Sequence, residues 1–193
     1  MDFYEIKSRD DYMPFIRDKS AKVLFEICQK EKPKNILEIG TAVGYSALLM
    51  LEGAKESFVT TIEKDEKRAQ EAKVNFEKNG VKERVDLIVG DAGEVLPQLE
   101  DEGKEFDLIF LDGPKGQYLR YLPHLKKMLC KGGLLVADNV LLHGWVKGEE
   151  FVKHKHRSMV VNLRKFLKCL EEDHDFDSKL LEIEDGITIS RKK

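Results

Sequence analysis

The chain has 193 residues, 41% hydrophobic and 36% charged, and its 33 basic and 36 acidic side chains give a formal net charge of −3. The length is sufficient for one domain with a full core, and the charge excludes a globally basic nucleic-acid-binding protein, although not a local basic patch. No apolar stretch is long enough to span a membrane, the N-terminus lacks an apolar signal core, and three widely spaced cysteines form no CxxC pair. We therefore expect a cytoplasmic protein without a membrane span, a structural zinc site or a disulfide framework.

The first half of the chain alternates short apolar runs with helical periodicity, which is typical of a parallel α/β sheet. A helix is predicted over 18–30, with Asp18 or Ser20 as its N-cap. Each predicted strand of this half is followed by a helix, and Pro97 is expected near the first turn of the last one. The strands are predicted at 35–40, 58–63 and 84–90, and the helices from about 45, at 65–79 and after 90.

The second half continues the alternation and then ends in strands. Gly132 and Gly133 are expected to end a helix before the next strand, and the alternating runs of 180–190 around Asp185-Gly186 predict a tight β-hairpin. We therefore predict a single α/β domain over residues 1–193, with helices on both faces of the sheet. The strands are predicted at 106–112 and 134–139, and the helices at 116–130 and 155–172.

The segment LEIGTAVGYS, residues 37–46, places glycines between the first strand and the following helix. Glycine lets the backbone turn tightly there and approach a ligand beside the helix N-terminus. The spacing of Gly40 and Gly44 differs from the G-x-G-x-x-G dinucleotide fingerprint, which argues against an NAD- or FAD-dependent oxidoreductase. Glu63, at the end of the second strand, suits the two ribose hydroxyls of an adenosine. The alternative is an ordinary turn with a helix-terminal acid. Asp91, after the third strand, is expected at the same edge of the sheet and is explained nearly as well as a helix N-cap.

Oxygen-bearing side chains end the fourth and fifth predicted strands, namely Asp112, Asp138 and Asn139. Carboxyl ends of parallel strands meet at one edge of a sheet, and an oxygen-only set of this kind suits Mg²⁺ rather than zinc. Lys115 follows Asp112 by three residues, where a nearby cation would lower its pKa and make it a general base. Taken singly, each of these residues could belong to a solvated turn or an exposed surface.

The segments LEIGTAVGYS, VGDA, FLDGPK and VADNVLLHGWV, together with Glu63, resemble the cation-dependent class I S-adenosylmethionine O-methyltransferases. This group contains the catechol and caffeoyl-CoA O-methyltransferases, and the resemblance covers roughly residues 14–190. It implies a Rossmann-like sheet of seven mostly parallel strands with the last antiparallel, an enzyme of the EC 2.1.1 class, and a homodimer as one alternative.

The resemblance also implies roles for individual residues. Lys115 would be the catalytic base, and Arg17 would lie near the methionine end of the cofactor. Mg²⁺ or another divalent cation would be held by Asp112, Asp138 and Asn139. S-adenosylmethionine would be bound by Ile16, Gly40, Tyr45, Ser46, Glu63, Asp91, Ala92 and Asp112.

The acceptor is less well defined by the sequence. Residues 153–168 contain no acid, and Arg157, Arg164 and Lys168 fall on one side of a predicted helix, either as a solvated face or as a phosphate-binding surface. The segment resembles bacterial tRNA 5-hydroxyuridine methyltransferases, so we take 5-hydroxyuridine in tRNA as the leading acceptor. The alternatives are a small catechol-like or caffeoyl-CoA-like phenol and, more remotely, a non-catalytic cofactor- or RNA-binding module.

Two further features bear on the acceptor. Only about 15 residues precede PFIRD, where many family members have a longer helical segment, so we expect an open acceptor site. Trp145 either lines the mouth of that site or simply packs there.

Overall fold

The computed structural model describes residues 16–148 and 152–193, which form two compact units that divide between Val95 and Leu96. The N-terminal segment that carries the expectation of an open acceptor site lies outside the described residues. Within residues 16–148 and 152–193, no helix is long and apolar enough to cross a membrane.

The first unit contains three parallel strands, in which β1 pairs with β2 and β2 pairs with β3. The predicted order of strands and helices is confirmed, with ends that shift by one or two residues. The N-cap of α1 is Arg17, whose side chain makes no capping hydrogen bond to the helix. The predicted caps Asp18 and Ser20 are therefore wrong, because both already lie inside the helix. The elements are α1 (Asp18–Glu31), β1 (Asn35–Ile39), α2 (Tyr45–Gly53), β2 (Phe58–Glu63), α3 (Glu66–Lys78) and β3 (Val85–Val89).

Helix α4 (Ala92–Asp101) follows β3 and contains Pro97 beyond its first turn, not near its start as predicted. Asp91 fixes the start of the helix, because the backbone amides of Glu94 and Val95 donate to its carbonyl at 2.8 and 3.0 Å. Proline has no N–H to donate to the carbonyl four residues earlier, which here belongs to Gly93.

The second unit contains four strands. Strands β4 and β5 are parallel, and β7 pairs antiparallel with both β5 and β6. The elements are β4 (Phe106–Leu111), α5 (Tyr118–Met128), β5 (Leu129–Asp138), α6 (Arg157–Glu172), β6 (Phe176–Leu181) and β7 (Ile187–Lys192), with short 3₁₀ turns at Lys115–Gln117 and His154–His156.

Strand β5 begins at Leu129 and includes the glycines that were expected to end the preceding helix. A Cβ atom at Gly133 would lie 2.9 Å from the carbonyl oxygens of Asp107 and Cys130. The residue is therefore glycine because another backbone approaches it closely, and the helix ends earlier, at Met128.

The predicted C-terminal hairpin is confirmed, but its turn is not tight. Leu181 pairs with Ile187, which leaves a loop at 182–186. The loop is longer because it contacts the segment after β5, where the amide of Leu141 donates to the carbonyl of Asp185 at 2.7 Å. A Cβ atom at Gly186 would lie 2.4 Å from Leu141 Cγ, so this contact also requires glycine.

The strands form a seven-stranded mixed sheet in the order β3-β2-β1-β4-β5-β7-β6, with β7 antiparallel to β5 and β6. Strands β1 and β4 each have four consecutive buried residues, as expected for parallel strands with helices on both faces. Six consecutive residues of α2 are also buried. The predicted fold class, an α/β sheet with a C-terminal antiparallel hairpin, is confirmed.

Candidate active site

The glycine loop at the end of β1 follows an unusual backbone path. Gly40, Ala42 and Gly44 all have positive φ angles, of 101°, 47° and 91°. At Gly44 a Cβ atom would lie 2.6 Å from Cε1 of the Phe76 ring. The loop therefore needs glycine at Gly44 for both its φ angle and its packing, which brings the backbone tightly around the start of α2.

Glu63 holds this loop in place. Its side chain is buried, Oε2 accepts a hydrogen bond from the Ala42 amide at 2.8 Å, and Oε1 accepts one from the Asp65 amide at 2.9 Å. A carboxylate has about four acceptor positions, so two amide bonds leave capacity for two hydroxyl donors. The carboxylate therefore fixes the loop beside it and keeps acceptor capacity of the kind that a ribose diol requires.

A buried hydrogen-bond network that the sequence analysis missed lies next to the loop. Ser46 Oγ donates to Glu38 Oε1, and Thr61 Oγ1 donates to Glu38 Oε2 at 2.5 Å. Because the Thr61 proton is used in this way, Thr41 Oγ1 donates to Thr61 Oγ1, at 2.6 Å. The sequence signal was an acid inside an apolar strand, since a buried carboxylate requires polar partners.

Asp91 acts as the N-cap of α4, as its simpler interpretation predicted. Its Oδ1 accepts from the Gly93 amide at 2.8 Å, and its Oδ2 accepts from Lys64 Nζ at 2.7 Å. Ala92, the first residue of the helix, is buried. The Asp91-Ala92 turn therefore has a structural role of its own at the end of β3.

The remaining residues predicted at the cofactor site in this unit lie at helix starts. Tyr45 begins α2 and is half-buried, and Ser46 follows it with its hydroxyl bonded to Glu38. Ile16 is buried two residues before α1, and Arg17 is the N-cap of that helix.

In the second unit, Lys115 and Asp112 form an ion pair directly after β4. Lys115 Nζ donates to Asp112 Oδ1 at 2.5 Å, and the two side chains are only 15% and 21% exposed. Lys115 Nζ also donates to the hydroxyl of Tyr118 at 3.0 Å. Lys115 is therefore held beside the carboxylate and is not the freely exposed lysine of the alternative interpretation.

Asp138 and Asn139 end the neighbouring strand. Leu111 of β4 pairs with Ala137 of β5, so Asp112 and Asp138 are the next residues on adjacent parallel strands. Asp138 is buried, and its Oδ1 accepts from the Asn139 amide at 2.8 Å. Asn139 has a φ of 55°, a left-handed conformation that asparagine tolerates better than most residues.

Tyr118, the first residue of α5, was not predicted as part of this group. It is fully buried, and its hydroxyl lies 2.9 Å from the Leu111 carbonyl oxygen and 3.1 Å from that of Asp138. Burial is the main cause that raises the pKa of Tyr118 well above its ordinary value, and the negative charges of Asp112 and Asp138 raise it further. The phenol therefore remains protonated. The sequence signal was a tyrosine on the inward face of the predicted helix.

The donors at these strand ends suit a hard cation. Two carboxylates and one amide provide oxygen ligands of the kind that Mg²⁺ and Ca²⁺ prefer. Among residues 16–148 and 152–193, no group of three or more His, Cys, Asp and Glu side chains could hold a metal. A cation bound by Asp112 and Asp138 would therefore need the Asn139 amide and further oxygens from water or the acceptor.

Two of the three basic side chains predicted on one side of α6, Arg164 and Lys168, make contacts within the protein. Arg164 Nε donates to the Val146 carbonyl at 2.7 Å, and its Nη2 donates to the Trp145 carbonyl at 3.0 Å. Lys168 Nζ lies 3.6 Å from Glu172 Oε1, and the two side chains form an exposed ion pair. Arg164 therefore anchors the segment that carries Trp145.

Trp145 packs between two imidazole rings. The centroid of its ring lies 5.7 Å from that of His143 and 5.1 Å from that of His156. His143 in turn lies beside Asp185, with Nδ1 3.3 Å from Oδ1. Trp145 remains only half-buried, so it both packs and contributes to the surface.

The model of the protein family described as O-methyltransferase matches residues 11–193 of this chain. The chain belongs to the O-methyltransferase family. The resemblance to the S-adenosylmethionine O-methyltransferases that was seen in the sequence is thereby confirmed. As a member of this family, the chain is an S-adenosylmethionine-dependent O-methyltransferase. The two alternatives from the sequence, an oxidoreductase and a non-catalytic module, are therefore rejected.

Similar O-methyltransferases are known from several organisms. The catechol O-methyltransferase of Niastella koreensis is 34% identical over 167 residues, which cover 86% of this chain and 72% of that protein. The caffeoyl-CoA O-methyltransferase of Populus kitakamiensis is 32% identical over 165 residues, which cover 82% of this chain and 70% of that protein.

Solved methyltransferase structures resemble the fold closely. The Bacillus cereus O-methyltransferase in complex with SAH has a TM-score of 0.84 and 28% identity, covering 93% of this chain and 83% of that one. The SAH-bound methyltransferase of Podospora anserina has a TM-score of 0.82 and 33% identity, covering 93% of this chain and 80% of that one.

Proposed function

We propose that this O-methyltransferase uses a divalent cation, such as Mg²⁺, to methylate a phenol that carries two neighbouring oxygens, as catechol does. The observation that carries the proposal is the position of Asp112 and Asp138 as the next residues on adjacent parallel strands, with Asn139 and the Asp112–Lys115 ion pair beside them. The names of the similar catechol and caffeoyl-CoA O-methyltransferases support the same class of acceptor.

On the donor side, S-adenosylmethionine would bind along the glycine loop. Glu63 has acceptor capacity for the ribose hydroxyls, as its two amide bonds leave positions open. Ser46 gives its proton to Glu38, so its oxygen can only accept, for example from the amino group of the methionine moiety. The other donor-side residues proposed are Ile16, Gly40, Tyr45, Asp91 and Ala92, and Asp112 from the second unit.

On the acceptor side, Asp112, Asp138 and Asn139 would hold the cation, and Lys115 would take the proton. When bound, a divalent cation would lower the pKa of an acceptor hydroxyl. Lys115 Nζ, as the neutral amine, would receive that proton on its lone pair as the methyl group moves from the sulfonium sulfur to the acceptor oxygen. The products are S-adenosylhomocysteine and the methyl ether, and correct positioning of the two reactants accounts for much of the rate.

A second candidate acceptor is 5-hydroxyuridine in tRNA. The observation that favours it is the run of exposed cations Lys153, Lys155 and Arg157, which could contact phosphates. Two of the three cations predicted for this role have other partners, however, because Arg164 bonds to backbone carbonyls and Lys168 pairs with Glu172. We therefore place the phenol first.

The proposal is tested by supplying labelled S-adenosylmethionine and, in separate reactions, a catechol or a hydroxyuridine-containing tRNA. Each reaction is run with Mg²⁺ and again after treatment with EDTA. Mg²⁺-dependent transfer to the catechol is the expected result. Transfer to the tRNA alone would overturn the phenol in favour of the second candidate. Full transfer after EDTA treatment would overturn the cation.

A further inference from the structure

The geometry points to Tyr118 as a positioning residue that aims the Nζ atom of Lys115 at the acceptor. The inference rests on the proposed function, since Lys115 is the proposed base. Tyr118 follows Lys115 by three residues, about one helical turn, so the two side chains come from one short stretch of chain.

The direction of the hydrogen bond between the two side chains follows from the contacts of the phenol. The hydroxyl of Tyr118 has one proton, and it lies 2.9 Å and 3.1 Å from two carbonyl oxygens, those of Leu111 and Asp138. Carbonyl oxygens only accept, so the proton points towards them. The phenolic oxygen is left to accept from Lys115 Nζ at 3.0 Å.

Two of the three tetrahedral directions at Lys115 Nζ are thereby occupied. One N–H points to Asp112 Oδ1 at 2.5 Å and the second to the Tyr118 hydroxyl. In the neutral amine that acts as a base, the third direction carries the lone pair, and it is the one left to meet the hydroxyl proton of an acceptor. A lysine held by Asp112 alone could rotate about its terminal bonds, whereas two fixed partners define where the third position lies.

Tyr118 is rigid enough for this task. The side chain is fully buried, and its ring packs edge-on against Phe166 with centroids 5.5 Å apart and an interplanar angle of 68°. Its hydroxyl is also fixed by the carbonyls at the ends of β4 and β5. The same contacts could serve only to hold the two strands together, so the test must separate positioning from structural support.

The first variant is Tyr118→Phe, which keeps the ring and removes the hydroxyl. Turnover is measured at saturating Mg²⁺ and with the acceptor that is methylated in the experiment above. We expect kcat to fall roughly 10- to 100-fold, with little change in KM for either substrate. The matched control is Tyr121→Phe, a buried tyrosine on the same helix, which does not donate to or accept from Lys115 and should leave kcat nearly unchanged.

A double-mutant cycle with Lys115→Ala decides between the two roles. If Tyr118 acts through Lys115, the variant Tyr118→Phe should cause no further loss of kcat when Lys115 is already absent. An equal loss in both backgrounds would overturn the inference and leave a structural role, while the proposed function would stand. Unchanged turnover in Lys115→Ala would overturn the proposed base and this inference with it.

Thermal unfolding checks that Tyr118→Phe remains folded at the assay temperature. If it does not, 3-fluorotyrosine at position 118 gives the same test in a folded protein, since it weakens the hydroxyl as an acceptor and keeps the ring. The expected result is a lower kcat in the presence of Lys115 and no effect in Lys115→Ala. An effect of equal size in both would count against positioning.

Discussion

The backbone amide of Ala42 donates to Glu63 Oε2 at 2.8 Å, which ties the glycine loop to the end of the neighbouring strand. The same carboxylate is the proposed ligand of the cofactor ribose, so loop shape and cofactor binding depend on one side chain. The variant Glu63→Gln removes the charge and one acceptor oxygen. Because hydrogen bonds to a charged group contribute about 1.5–3 kcal/mol, we expect S-adenosylhomocysteine to bind about 10- to 100-fold more weakly by calorimetry.

The matched control for this prediction is Glu66→Gln, an exposed glutamate in the first turn of α3. It changes the net charge by the same amount at a nearby position and should alter the affinity by less than about twofold. An equal loss in both variants would mean that only the overall charge matters, and Glu63 would lose its proposed role.

Gly44→Ala should destabilise the first unit. The added Cβ would lie 2.6 Å from the Phe76 ring, and φ at this residue is 91°. Overpacking and the left-handed backbone together should cost about 2–4 kcal/mol in the free energy of unfolding. Urea denaturation measures the loss, which we expect to be accompanied by weaker cofactor binding.

Gly80→Ala provides the comparison for this variant. Gly80 also has a positive φ, of 67°, but a Cβ there would meet no atom within 4 Å. Its cost should therefore be limited to the backbone contribution of about 1–2 kcal/mol. Equal destabilisation by the two variants would show that contact with Phe76 is unimportant.

Asp138→Ala should reduce methyl transfer without weakening cofactor binding. Asp138 is buried, and its carboxylate accepts a hydrogen bond from the Asn139 amide. The alanine variant lacks this carboxylate, which is one of the proposed cation ligands of the second unit. We expect transfer to fall by at least about 100-fold, while S-adenosylhomocysteine binding by calorimetry stays within about twofold. A parallel loss of binding and transfer would indicate that Asp138 supports the fold instead.

Acid stability should depend on Glu100. Hydrogen bonds from Lys127, at 2.5 Å, and from His124, at 2.6 Å, lower the pKa of the Glu100 carboxyl below its ordinary value of 4.5. A carboxyl with a lowered pKa in the folded state contributes stability above pH 4.5 and loses it as the pH falls through the folded-state pKa.

We therefore expect Glu100→Gln to reduce the free energy of unfolding at neutral pH and to make its decline below pH 4.5 less steep than in the unchanged protein. The measurement is urea unfolding at a series of pH values between roughly 3 and 7. Identical pH dependence in the two proteins would contradict a contribution from this carboxylate.

The sequence allowed the order of strands and helices to be predicted because hydrophobic periodicity is a local property. It also located Asp112 and Asp138, since the rule that parallel strands end at one edge needs only the strand assignments. Glu38 and Tyr118 were missed because each is defined by its partners, which come from other strands. The length of β5 was wrong for the same reason, as Gly133 is required by the approach of Asp107, which the sequence separates from it.

The contact between the C-terminal loop and the chain after Asn139 affects when the second unit can be completed during synthesis. The amides of Val140 and Leu141 donate to the carbonyls of Gly186 and Asp185, and β7 lies between β5 and β6. The hydrogen-bonded turn after Asn139 therefore cannot form until residues up to Gly186 have left the ribosome, and the sheet of this unit is complete only once β7 has followed. Strands β1 and β2, which carry the glycine loop and Glu63, have been synthesised by then, so the nascent chain can form the proposed donor side before it completes the proposed acceptor side.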